Sequence, residues 1–206
     1  MINSYNELQD SHIDVLREIG NIGAGNAATS LSVLLDESVT ISIPNVKVEG
    51  YDNVVRAIGE PEDLAIAILV NFHGDVRGTV LFILPFEDAK LITQMLVGIE
   101  KTDDHFLSEM KISTIKEFGN ILGSSYLGSI ASLTGLNFDI SVPYAAIDML
   151  GALLAAPVIE FGAFDSKIMF IEETFSTEER KLNSHVILFA DMPSLNKIMT
   201  RLGLEI

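Results

Sequence analysis

The sequence predicts an α+β fold, a pseudo-two-fold duplicated α/β sandwich in which two long helices pack on a largely antiparallel sheet. Three observations predict it. A helix–strand unit is written twice at one spacing, each copy opens on a long amphipathic run, and each closes on β-branched runs broken by turn residues. Asp14-Val-Leu-Arg-Glu18-Ile-Gly-Asn21 returns 99 residues later as Ser113-Thr-Ile-Lys-Glu117-Phe-Gly-Asn120, and Pro44 and Pro143 keep the same offset. Two packed helix–strand units would share Gly20/Gly119 and Ile22/Ile121 for packing alone. A core has no need of the repeated Glu and Asn.

The first copy starts with a helix over about residues 6–36, with Val15, Ile19, Ile22, Ala27, Leu31 and Leu34 on its apolar side. Strands are expected near 38–49, 64–72 and 77–85, and the turn residues His73-Gly-Asp-Val-Arg-Gly78 join the last two as an antiparallel pair. A short helix over Glu87 to Gly98 ends this half. The second copy repeats the order: a helix over about 106–135, strands near 137–143, 165–174 and 184–191, and a short helix from Ser194 to Gly203. Glu100 to His105 is a short polar connection. The expectation is therefore one domain over 1–206, built of two repeats (about 1–100 and 101–206).

Composition narrows the function classes. Thirteen basic and 29 acidic residues give a net charge of −16, so a nucleic-acid backbone or an anionic membrane surface would be repelled. There is no cysteine, which removes disulfides, thiolate zinc sites and thiol nucleophiles. The N-terminus lacks the basic and apolar regions of a signal peptide, and the apolar stretch Ala145 to Phe161 is too short to span a bilayer. A cytoplasmic protein, monomeric when free, is expected. Gly23-Ala-Gly25-Asn-Ala-Ala28 matches a dinucleotide fingerprint, but helix rather than strand precedes it, so close packing explains its small residues. His12, His73, His105 and His185 lack ligand spacing and read as surface or edge residues.

At about 100° per residue, Asp14, Glu18 and Asn21 fall within roughly 60° of one helix face, as do Ser113, Glu117 and Asn120. Small residues (Gly25 and Ser32, then Ser124 and Ala131) continue each stripe and would let another surface approach. A carboxylate can orient a water or accept its proton, and a carboxamide can donate and accept hydrogen bonds. Neither is an activated nucleophile, and no His, Lys or Arg is repeated beside them. A phosphatase of this design needs a substrate that carries its own cation and electrophilic groups.

The pattern (Asp or Ser)-x-x-x-Glu-x-x-Asn, then 22 residues, then Pro, resembles the signature of the CheC/CheX/FliY chemotaxis phosphatases. Asp14, Glu18, Asn21 and Pro44 match it, and so do Ser113, Glu117, Asn120 and Pro143. Glu18-Ile-Gly-Asn-Ile-Gly-Ala-Gly-Asn-Ala-Ala28 is similar to CheC in particular. Two sites in 206 residues fit CheC better than the shorter, dimerising CheX-like chains or FliY-like chains with their added switch domain. The resemblance implies an aspartyl-phosphate phosphatase acting on phosphorylated CheY, with Glu18/Asn21 and Glu117/Asn120 catalytic. It implies no cofactor of the chain's own, and Mg²⁺ held by the response regulator together with a lysine and a hydroxyl.

Ala145 to Ala156 reads as an apolar helix with one acid. It is either a buried helix or an exposed docking helix through Ile147, Asp148, Met149 and Leu150. The resemblance makes the receptor deamidase CheD its partner. The counterpart in the first half, Gly50 to Glu60, is more polar. The alternative function is then a regulatory CheD-binding module with weak or no phosphatase activity, and a third is a structural part of the flagellar switch.

Overall fold

A computed structural model describes residues 2–42, 45–97, 109–160, 167–178 and 180–204. The first half runs α1 (Asp10–Leu35), β1 (Thr40–Ile41), β2 (Asn45–Glu49), α2 (Tyr51–Ile58), β3 (Leu64–Gly74), β4 (Gly78–Pro85) and α3 (Phe86–Val97). The second repeats that order as α4 (Glu109–Thr134), β5 (Phe138–Ile140), β6 (Tyr144–Met149), α5 (Leu150–Glu160), β7 (Ile168–Ser176), β8 (Lys181–Ala190) and α6 (Met192–Arg201). The connection from Glu100 to His105 lies outside the described residues.

The two long helices are 26 residues each and lie where the repeat places them, although α1 starts at Asp10, after its Gln9 cap, rather than near residue 6. Leu16, Ile19, Ala27 and Leu31 of α1 are buried, while Val15 and Ile22 are only half-buried and Leu34, near the helix end, is exposed. The start of α1 is fixed by Gln9 and His12, where the Gln9 N–H donates to His12 Nδ1 at 2.9 Å. Gly23 to Ala28 sits in mid-helix, so its glycines form no phosphate-binding turn.

All strand pairs are antiparallel, in the order β1-β7-β8-β4-β3-β5, with β2 also on β7 and β6 also on β3. Each half thus lays its first two strands against the other half's hairpin. Val46 of β2 stands opposite Ile171, and 99 residues on Ala145 of β6 stands opposite Ile68, so Ile171 and Ile68 are counterparts. Lys47 of β2 adds an ion pair to Glu172 of β7 at 2.8 Å. Period-two alternation sends β3 and β4 side chains to opposite cores. Ile66, Ile68, Val70, Phe82 and Leu84 face α1 and α4, whereas Ala65, Ala67, Leu81 and Ile83 face α2 and α5. At the end of β3, Gly74 has φ +144, and a Cβ there would press on Asn137 O and Phe138 Cα at 2.8 Å.

Two expectations are corrected. The apolar helix expected from Ala145 starts only at Leu150, because residues 144–149 form β6 on the edge of β3. Ile147 lies opposite Ile66, Asp148 opposite Ala65 and Met149 opposite Leu64. A run of Ala, Met and Leu favours helix locally, but the open edge of β3 offers a full ladder, and pairing wins. Leu150 is 1 % exposed and belongs to the core between α5 and the sheet, so it is no docking residue. Leu150→Ala is expected to cost at least about 2 kcal/mol of stability, read by urea unfolding; an unchanged midpoint would contradict its core position.

The histidines are the other correction. His12 and His185 are buried, the first in the α1 cap and the second stacked on Phe170 with ring centroids 5.5 Å apart. His73 is exposed, and His105 lies outside the described residues.

Candidate functional site

Helix register brings the candidate residues to the outer surface of the layer formed by α1 and α4. Asp14 and Glu18 are exposed and Asn21 is half-buried on α1; Ser113, Glu117 and Asn120 are all exposed on α4. Gly20 and Gly119, one residue before each Asn, face inward. Among the described residues, none of the four Glu and Asn side chains is held by a hydrogen bond or ion pair within the chain, which leaves them open to a ligand. Asp14 differs from Ser113 in having a neighbour, Arg17, whose Nη1 lies 2.5 Å from Oδ1. Both groups are exposed, so the pair adds less than about 1 kcal/mol.

The two helices touch directly. Asn26 Nδ2 donates to Ser129 Oγ at 3.2 Å across the crossing. A shallow groove on the outer side of this contact is lined by Asn26, Ser30, Asn120, Ser124, Ser125 and Gly128. Asn120 is the candidate residue that enters it. Pro143 is buried between β5 and β6, and Pro44 lies outside the described residues. Ile147, Asp148 and Met149 stand apart from this surface, on the edge strand β6.

The strongest electrostatic perturbations are in the interior. Glu173 of β7 is 4 % exposed, and burial pushes its carboxyl up to about 7 even though Tyr126 and Ser184 both donate to it. Burial, and then the Glu173 carboxylate, push the Tyr126 phenol well above its usual range, so it remains a donor. His185, on the opposite face of the sheet, is pushed down to about 4, chiefly by burial. The sequence reading missed Tyr126, Glu173 and Ser184, although strand alternation places Glu173 in phase with Met169, Ile171 and Phe175, all buried. Among the described residues, no group of three or more His, Asp or Glu could hold a metal ion. No helix of the described residues is long and apolar enough to cross a membrane.

An α+β layer with two equivalent helix faces, each carrying an exposed Glu and an Asn one turn apart, defines a class. The model of the CheC-like family matches residues 12–48 and 110–145, one segment around each copy of the motif. The "CheY-P phosphatase CheC" of Bacillus subtilis is 30% identical over 203 residues, covering 97% of both chains. The "Flagellar motor switch phosphatase FliY" of the same organism is 33% identical over 138 residues, 66% of this chain and 36% of that protein. The crystal structure of Thermotoga maritima FliY has the same fold, with a TM-score of 0.76 at 23% identity over 96% of this chain and 98% of that one. The chain belongs to the CheC-like family of chemotaxis proteins.

Proposed function

We propose that this chain is a cytoplasmic phosphatase that hydrolyses the aspartyl phosphate of the response regulator CheY, with Glu18/Asn21 and Glu117/Asn120 as two catalytic pairs. The observation that carries the reading is the equal placing of the pairs. They occupy the same register of two adjoining helices, open to solvent, in a chain similar over 97% of its length to a protein named as a CheY-P phosphatase. Each pair would hold one water between carboxamide and carboxylate, aimed at phosphorus opposite the aspartyl oxygen. The new P–O bond forms as the bond to aspartate breaks, giving a free carboxylate and inorganic phosphate. Phosphoryl transfer of this kind rests on positioning and electrostatics rather than on a protein nucleophile. Asp14 and Ser113 flank the pairs near each helix start, and Pro143 is buried where the chain passes from β5 to β6. The direct test is the lifetime of phosphorylated CheY with and without the chain; an unchanged lifetime sinks the reading.

With a net charge of −16, the chain offers little to neutralise a phosphoryl group, so the regulator supplies the cation. Dephosphorylation is expected to require Mg²⁺ or another divalent ion, bound by CheY. Calorimetric titration of the isolated chain with Mg²⁺ should show no tight site, and stoichiometric micromolar binding would overturn the assignment.

A second reading, docking of the deamidase CheD, is favoured by one observation. Asp148 and Met149 are exposed at the end of the edge strand β6, and Met149 lies beside exposed Leu64. Asp148→Ala is the discriminating variant, because Leu150 is core.

A further inference from the structure

The two halves hold their helices in different ways. On α4, Gly119 lies directly on the sheet, where a Cβ would overlap Ile68 Cγ2, and a Cβ at Gly123 would lie 3.1 Å from Val70 Cγ2. On α1 the counterpart of Gly119 is Gly20, and beneath it is an apolar void lined by Leu16, Ile19, Val80, Tyr126 and Ile171. Among the described residues, no strand meets this stretch of α1 as closely as β3 meets α4. Instead α1 rests on Tyr126 of α4: a Cβ at Gly23 would lie 2.8 Å from Cδ1 and 3.0 Å from Cγ of that ring. Asn21 sits between these two glycines.

Tyr126 is itself anchored. Its hydroxyl donates to Glu173, whose other oxygen accepts from Ser184 Oγ at 2.9 Å. Its ring lies edge-on to Phe82 at 6.0 Å. The pseudo-symmetric positions hold nothing comparable: Tyr126 corresponds to Ala27 and Glu173 to Val70, both buried and apolar. A buried phenol, carboxylate and hydroxyl satisfy one another only in one geometry, so the ring is fixed more firmly than an apolar contact would fix it.

We propose that Tyr126, anchored by Glu173 and Ser184, is the positioning residue of the first catalytic pair. Its ring sets the height of α1 at Gly23 and thereby the stance of Glu18 and Asn21, whereas the second pair takes its position from β3. The inference rests on the phosphatase reading for its kinetic arm and on geometry for its structural arm.

The test uses two single-site parents, Glu117→Ala/Asn120→Ala, which keeps the first pair, and Glu18→Ala/Asn21→Ala, which keeps the second. Tyr126→Phe and, separately, Glu173→Gln are added to each. In the first-pair parent, kcat on phosphorylated CheY should fall at least fivefold with KM unchanged, and in the second-pair parent kcat should stay within twofold. Equal losses in both parents, or no loss in the first, would overturn the proposal. Amide hydrogen exchange of the intact chain is the independent arm. Tyr126→Phe and Glu173→Gln should each speed exchange at residues 18–24 at least tenfold and leave residues 117–123 unchanged. Equal protection of the two segments overturns the positioning role whether or not either parent is active. Inactive parents with the expected exchange would overturn the phosphatase reading alone.

Discussion

Alanine at Glu18, Asn21, Glu117 and Asn120 together is expected to slow the accelerated decay of phosphorylated CheY by about a hundredfold or more, the range for losing a group that positions a water or moves a proton. Either pair alone, restored, should return measurable activity, because the two faces lie on separate helices and share no side chain. Three of the four residues are exposed and Asn21 is half-buried, with no partner among the described residues. Truncating them removes little packing, so each change should alter stability by within about 0.5 kcal/mol. Circular dichroism and thermal unfolding of the same protein verify that. A folded quadruple variant that matches the parent rate removes these residues from catalysis. Loss confined to one double variant would mean that only one helix face works.

A second large effect is expected in the pH dependence of stability, where two buried groups oppose each other. Glu173 is raised from 4.5 to about 7, so between those values the folded chain holds a proton that the unfolded chain has lost. Its stabilising contribution is complete below pH 4.5 and disappears as pH rises through 7. His185 is lowered from 6.5 to about 4, so its contribution is present above pH 6.5 and disappears as pH falls through 4. Each leg is on the order of 3 kcal/mol, and between pH 4.5 and 6.5 they run in opposite directions. Glu173→Gln should therefore unmask stability that rises with pH across this window, and His185→Phe should unmask stability that falls. Denaturant unfolding at pH 4.5, 5.5, 6.5 and 7.5 reads both. Differences from the parent remove the background of the other acidic groups, and parallel profiles for all three proteins would refute the opposition.

Much of the architecture is legible in the sequence because it is periodic. The 3.6-residue repeat of Ile19, Ile22, Ala27 and Leu31, doubled 99 residues on as Phe118, Ile121, Tyr126 and Ile130, requires two long helices. The candidate pairs are legible for a related reason: Glu and Asn in one register twice have no packing explanation. β6 was hidden because Ala145-Ala-Ile-Asp-Met149 has the composition of a helix, and only the free edge of β3, some 80 residues earlier in the chain, makes it a strand. The burial of His12 and His185 depends on a cap and a ring stack, contacts with no local signature. The asymmetry at Tyr126 was hidden for the opposite reason. It breaks the repeat, and a search for what the halves share passes over what one half has alone.

The exchange of strands between halves bears on how such a chain could be made. Each half gives a flank to its sibling and receives one in return, so neither has a complete sheet of its own. The same ledge that takes β2 from within the chain would take an identical strand from a second copy of a half, with no change in hydrogen bonding. A gene encoding one half could therefore have produced a reciprocal dimer with two equal helix faces. Joining two such genes end to end would keep every pairing and free the halves to diverge. Two identical halves could not place a tyrosine and a glutamate on one side only; this chain does so.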